Sequence, residues 1–186
     1  MSVRHYMVCL DLRGRSCLVV GGGRVALEKA QGLLECEADV TLVAPAFDPE
    51  LDDLPVTLMR RPFRDSDVVR RFLVIAATND RLVNSRVSSA AGECGIPCNV
   101  ADDPALCSFI LPAIVRRDPI AVAVSTGGAS PALAQRLRDD IGGLVTERHA
   151  KLAERLHELR PWAKRELPRY EDRRDFFQQL VEEALA

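Results

Sequence analysis

No stretch of the 186-residue chain approaches the ~20 consecutive apolar residues that a membrane-spanning helix requires. The longest apolar run, Phe72-Leu-Val-Ile-Ala-Ala77, is far too short. Aromatics are scarce at 5%, and histidines number only 3. No charge sign dominates: 25 Lys and Arg face 27 Asp and Glu, a net charge of −2. Such a balance excludes a general nucleic-acid binder and a polybasic membrane binder. The N-terminus lacks the apolar core of a signal peptide, because Asp11 and Arg13 cut it short. Six cysteines without an export signal, two of them (Cys17 and Cys36) in apolar periodic segments, read as reduced thiols in a cytoplasmic protein. Cys94, Cys98 and Cys107 have no histidine near them, so no metal site is expected there. What remains is ordinary globular composition, 47% apolar and 28% charged. The length suits one domain to one and a half, with a core that needs no disulfides.

The pattern of apolar runs is that of an α/β fold. Arg15-Ser-Cys-Leu-Val-Val20 reads as a buried strand feeding the turn Gly21-Gly-Gly23. Helical spacing follows from Arg24 to Glu35. Strands are expected at Asp39–Ala44, Pro55–Met59, Phe72–Ala76 and Pro97–Val100, with a helix from Asp80 to Cys94. Strands alternating with helices indicate a parallel, Rossmann-like sheet. Beyond about residue 107 the pattern changes. Phe109–Val115 and Ile120–Val124 flank a short polar turn and read as an antiparallel hairpin. Ser130-Pro131 reads as an N-cap with proline at the first helical position. No glycine occurs after Gly143, and Pro161 and Pro168 are expected to separate amphipathic helices of a small C-terminal helical domain.

Four constellations carry chemistry. Gly21-Gly-Gly-Arg-Val-Ala26 fits G-x-G-x-x-A between a strand and a helix. Residues without Cβ let the chain turn and let a pyrophosphate approach the helix amides. The same residues also suit a tight turn without ligand. The acid usually found at the end of the second strand is missing, for that strand ends Val43-Ala44-Pro45-Ala46 and the next acid is Asp48. Either backbone groups hold the adenosine ribose or Asp48 reaches it. No arginine at that strand end favours NAD over NADP. At the end of the fourth strand, Thr78 and Asn79 either line a cofactor or cap the next helix. Asn99-Val-Ala-Asp-Asp-Pro104 places Asp102 and Asp103 at a third carboxyl strand end. A carboxylate there can take a proton from a substrate, or merely form an Asp-Pro turn. Last, Ser125-Thr-Gly-Gly-Ala-Ser-Pro131, with Arg116, Arg117, Arg136 and Arg138, suits an anionic ligand or a solvated surface.

Taken in order, Gly21–Lys29, Val40–Pro45, Val74–Asp80, Val83-Asn84, Asn99–Pro104, Ser108–Ala113 and Val124–Ala132 resemble the precorrin-2 dehydrogenase family, the N-terminal half of siroheme synthase. The resemblance covers roughly 7–143. It implies NAD-dependent oxidation of precorrin-2 to sirohydrochlorin by a homodimer built through the hairpin and following helices. The expected parts are an NAD-binding domain at 1–113, a dimerisation region at 114–144 and a helical domain at 145–186. Asp102 takes the family's functional aspartate. Cofactor contacts fall on Gly21, Gly22, Gly23, Arg24, Val25, Pro45, Ala46 and Thr78. Substrate contacts fall on Asn99, Ser125, Thr126, Gly127 and Arg116. Some members also insert ferrous iron, in which Asp102 could accept pyrrole protons; others do not. No membrane or nucleic acid is implied. The rival readings are a dehydrogenase of another polyanionic substrate and a non-catalytic NAD-responsive module.

Overall fold

The structure is a computed structural model that describes residues 5–186. The expectations for residues 1–4, the start of the first domain and of the leader reading, lie outside the described residues. Tyr6–Leu111 forms one compact unit, and Pro112–Ala186 with His5 the other.

The first unit is a five-stranded, wholly parallel sheet in the order β3-β2-β1-β4-β5. Its strands are β1 (Ser16–Val20), β2 (Asp39–Ala44), β3 (Thr57–Arg60), β4 (Leu73–Ala76) and β5 (Cys98–Val100). The strand order reverses between β1 and β4, the crevice where doubly wound sheets take their ligands. β1 is buried on both faces because helices cover both. Cys17 and Val19 pack with Ala26, Leu27, Ala30 and Leu33 of α1 (Arg24–Leu34). Leu18 and Val20 pack with Val87, Ala90 and Ala91 of α2 (Arg81–Glu93). β3 starts two residues later than expected and takes in Arg60. On the opposite edge of the sheet, Arg71 donates to Ser16 Oγ (2.8 Å) and Thr41 Oγ1 (2.9 Å), tying β1 to β2.

The link between β3 and β4 is held by a forked ion pair. Arg61 Nη2 lies 2.6 Å from Asp67 Oδ1 and Nη1 2.8 Å from Oδ2, and the Arg64 amide donates to the same carboxylate. Burial disfavours the charged carboxylate, but these contacts outweigh it and hold the Asp67 pKa below its usual value. The stabilisation is therefore present above the carboxylate range and lost as pH falls through the folded pKa. Asp67→Asn should lower Tm at neutral and alkaline pH, where the wild-type pair is charged, and flatten the acid limb so that the two curves converge at low pH. An acid limb identical to wild type would contradict the account.

None of the six cysteines is in a disulfide. Burial pushes the thiols of Cys17 and Cys98 up to about 11. In the native chain at pH 8, a disulfide reagent should titrate exposed Cys9 and Cys94 quickly and leave Cys17 and Cys98 until denaturant is added. Rapid labelling of either buried thiol would show that the sheet opens.

The second unit begins with the hairpin β6 (Ala113–Arg117) and β7 (Ile120–Val124), whose register leaves Asp118-Pro119 as the turn. Pairing starts at Ala113, not at Phe109, because the Phe109 carbonyl accepts from the Asn99 side chain and Pro112 has no N–H to donate. α3 (Pro131–Leu144) packs on the hairpin, its N-cap Ser130 accepting from the Leu133 amide at 3.2 Å. α4 (Glu147–Glu166) contains Pro161, which therefore does not separate two helices. The helix continues past this proline because the turn beyond is packed: Ala163 is fully buried, and Trp162 lies 5.4 Å from Phe176 of α5 (Tyr170–Leu185). That packing offsets the ~3 kcal/mol an interior proline costs. Pro168 does fall in the break between α4 and α5.

Candidate active site

The glycine turn sits at the carboxyl end of β1, between the ends of β2 and β4. Gly21 has φ +135°, outside the range side chains favour. A Cβ there would stand 2.3 Å from the Ala77 carbonyl oxygen. A Cβ on Gly22 would stand 2.0 Å from the Ala46 carbonyl oxygen. These two glycines let the loops after β4 and β2 close onto the turn. Gly23 differs, for nothing lies within 4 Å of a Cβ built on it. It is the N-cap of α1 and supplies no side-chain cap. The helix N-terminus is thus open in front and carries the positive end of the dipole, which fits the pyrophosphate of a dinucleotide.

The chain leaving β2 turns back toward the glycines. The Asp48 amide donates to the Gly22 carbonyl (2.6 Å). The Asp48 carboxylate accepts from the Glu50 amide (3.1 Å) and caps the 3₁₀ turn Pro49–Leu51. One of its two oxygens is thus engaged in the cap. Glu50, which the sequence reading passed over, lies 3.2 Å from the guanidinium of Arg24. The structure also corrects the expectation that no arginine stands near this strand end. Register pairs Ala44 with Arg60, so strand pairing brings in a side chain far away in sequence. Arg60 sits over the Phe47 ring and pairs with Asp52.

Beyond β4, Thr78 is an internal tie. Its hydroxyl lies 2.7 Å from Asn84 Oδ1 and accepts from the Asp80 amide (3.1 Å), while Asn84 Nδ2 donates to the Thr78 carbonyl (2.9 Å). Asn84 is buried. The N-cap of α2 is Asp80, which accepts from the Leu82 and Val83 amides, rather than Thr78 or Asn79.

Beyond β5, Asp102 is exposed and has φ +61°. Its carboxylate makes no hydrogen bond or ion pair among the described residues. Asp103 beside it is half-buried and pairs with Arg81 at 3.5 Å. Since neighbouring strands lie about 4.8 Å apart, the ends of β1 and β5 are on the order of 10 Å apart across β4. Asn99 is buried, its amide donating to the Phe109 carbonyl (3.0 Å) and toward Cys107 Sγ (3.5 Å). The Cys107 sulfur also accepts from the Val100 amide (3.1 Å) and lies 3.4 Å from the Asp103 carbonyl. The loop presenting Asp102 is therefore anchored from beneath by Asn99 and Cys107. From sequence, Cys107 is weighed only with Cys94 and Cys98 as a metal ligand, and set aside.

In the second unit the small-residue loop is a self-bonded turn. Ser125 Oγ accepts from the Gly127 amide (3.1 Å), and Thr126 Oγ1 accepts from the Ser130 amide (3.0 Å). Gly127 and Gly128 have φ +63° and +83°. Arg116 lies on the hairpin, and with Arg117 and Arg138 it lines an open groove of about 490 Å³ between hairpin and α3. Among the described residues there is no group of three or more His, Cys, Asp or Glu placed to hold a metal ion. No helix among them is long and apolar enough to cross a membrane.

A dinucleotide-type sheet with an open glycine turn thus defines the class, and comparison with known proteins narrows it. A family model described as "Putative NAD(P)-binding" matches residues 8–113. That is more than half of the chain, which belongs to this NAD(P)-binding family. A second model, described as "Sirohaem biosynthesis protein central", matches residues 117–144. The chain is 45% identical over 181 residues to the siroheme synthase of Thioalkalivibrio sulfidiphilus, an alignment covering 95% of this chain and 37% of that protein. It is 42% identical over 180 residues to the siroheme synthase of Nitrosomonas europaea, covering 94% and 38%. The chain spans less than two-fifths of the length of these relatives. Among solved structures it is similar to SirC, precorrin-2 dehydrogenase, with a TM-score of 0.81 and 29% identity over 98% of this chain and 93% of that one.

Proposed function

We propose that this chain oxidises precorrin-2 to sirohydrochlorin with NAD as acceptor, in siroheme biosynthesis. The observation that carries the reading is the likeness to a precorrin-2 dehydrogenase over 98% of the chain. The free Asp102 carboxylate, on the same sheet edge as the glycine turn, supplies the group the reaction needs. Bound NAD supplies the hydride acceptor. Gly23, Arg24 and Val25 present the helix amides to its pyrophosphate, with Gly21 and Gly22 shaping the turn. Pro45 and Ala46 border the adenosine ribose, and Thr78, held by Asn84, borders the crevice beyond β4. The oxidation removes two hydrogens from the macrocycle, one as hydride to NAD and one as a proton. Asp102 accepts that proton and passes it to water. Asn99 acts indirectly, by fixing the loop that carries Asp102.

The substrate is a polycarboxylate. The turn residues Ser125, Thr126 and Gly127, together with Arg116, are its proposed contacts, the arginine by a forked contact. In this reading residues 1–113 bind NAD, 114–144 form the dimerisation region and 145–186 a helical cap. The homodimer reading is supported by the apolar side chains the second unit leaves exposed: Ile114 at 38%, Leu133 at 50%, Leu137 at 39% and Leu144 at 73%. Both outer edges of the hairpin are also unpaired. Six cysteines free of disulfides support the reading of a cytoplasmic protein. Anaerobic incubation with precorrin-2 and NAD tests the reading. The sirohydrochlorin spectrum should appear only with both present, and its absence with active dinucleotide binding would overturn the proposal.

A further inference from the structure

The rim of the glycine turn carries charges that the dinucleotide reading leaves unused. Sites of this kind hold the adenosine ribose through an acid at the end of the second strand, or receive a 2′-phosphate on an arginine nearby. Here the strand end itself, Val43-Ala44-Pro45-Ala46, has neither. The loop that follows is pinned to the turn through the Asp48 amide and the Gly22 carbonyl, and Oδ1 of Asp48 accepts from the Glu50 amide. Glu50 is the acid of this loop that pairs with a cation of α1. Its Oε1 lies 3.2 Å from Nη1 of Arg24, the first residue of α1, and Glu28 flanks the same guanidinium at 4.0 Å. The other arginine near the strand end, Arg60, is held by Asp52. Both cations that a 2′-phosphate would seek are already neutralised by carboxylates.

We infer that the Arg24–Glu50 pair selects the coenzyme: Glu50 accepts from the adenosine ribose hydroxyls and repels a 2′-phosphate, and it withholds Arg24 from that phosphate. The inference rests on the dinucleotide-binding reading of the turn and names the residues that favour NAD over NADP there. Both side chains are largely exposed, at 68% and 61%, so screening by water limits the effect to about tenfold in affinity.

Calorimetric titration of the full chain with NAD and with NADP, without substrate, tests it. Wild type should bind NAD about tenfold more tightly. Glu50→Gln should strengthen NADP about tenfold and weaken NAD a few-fold, with an unchanged melting curve. Adding Arg24→Gln to that variant should erase the NADP gain. An unchanged NADP-to-NAD ratio in Glu50→Gln would overturn the inference. So would a gain that appears in Asp52→Asn instead, which would assign selection to Arg60. A wild type that binds neither dinucleotide would overturn the binding reading of the turn, and this inference with it.

Discussion

Replacing Asp102 with asparagine should lower kcat for precorrin-2 oxidation by about 10²–10⁴-fold, the usual contribution of a positioned proton acceptor. Tm and NAD affinity should hold. Asparagine is the informative substitution because residue 102 has φ +61°. Asparagine and aspartate tolerate that region better than other side chains, so Asp102→Asn removes the charge without disturbing the loop. Exposure of the residue means that no packing is lost either. Asp103→Asn is the matched control. That carboxylate already pairs with Arg81, and its loss should change kcat by less than a few-fold. Unchanged turnover in Asp102→Asn would remove the residue from the chemistry. Equal losses in both variants would mean that the loop, and not one carboxylate, is what matters.

Alanine in place of Gly22 should damage the fold severely. Its Cβ would meet the Ala46 carbonyl oxygen at 2.0 Å, Phe47 Cδ1 at 2.9 Å and Ala44 Cβ at 3.0 Å. Backbone cannot yield as a flexible side chain can, so the loop after β2 must move. The expected cost is about 3 kcal/mol, a Tm lower by ~10 °C for a chain of this size, with loss of NAD binding. Gly23→Ala makes the contrast. Its methyl would meet nothing within 4 Å, so Tm should fall by no more than ~2 °C. NAD affinity should still drop about tenfold or more, because the methyl stands where the pyrophosphate must approach. Calorimetry and melting curves on the two variants separate folding from access. If Gly23→Ala bound NAD as wild type does, the open helix end would not be the phosphate site.

The sheet was legible because a strand buried on both faces leaves an unbroken apolar run. Cys17–Val20 and Leu73–Ala76 have that form, Val40–Ala44 is interrupted only by Thr41, and each is a strand. The start of α3 was legible for a local reason too: Ser130 and Pro131 cap a helix through neighbours only a few residues away. What the sequence concealed depends on partners distant along the chain. Pro161 promised a break, yet packing of Ala163 and Trp162 carries α4 through it. Arg60 reaches the end of β2 only through strand register. Thr78 and Asn99 stood in motifs expected to face ligand, but Asn84 and the Phe109 carbonyl engage their side chains from within. Motif position located the loops, and hydrogen-bond partners decided which side chains remain free in them. By that criterion Asp102 stands out, as an acid at a carboxyl strand end whose side chain has no partner among the described residues.

The most direct test of the account is one anaerobic reaction of the purified chain with precorrin-2 and NAD, following NADH absorbance and the sirohydrochlorin spectrum together. The account predicts that the two rise in a one-to-one ratio and that both are nearly abolished in Asp102→Asn. NAD binding without either signal, or sirohydrochlorin formed without matching NADH, would contradict it.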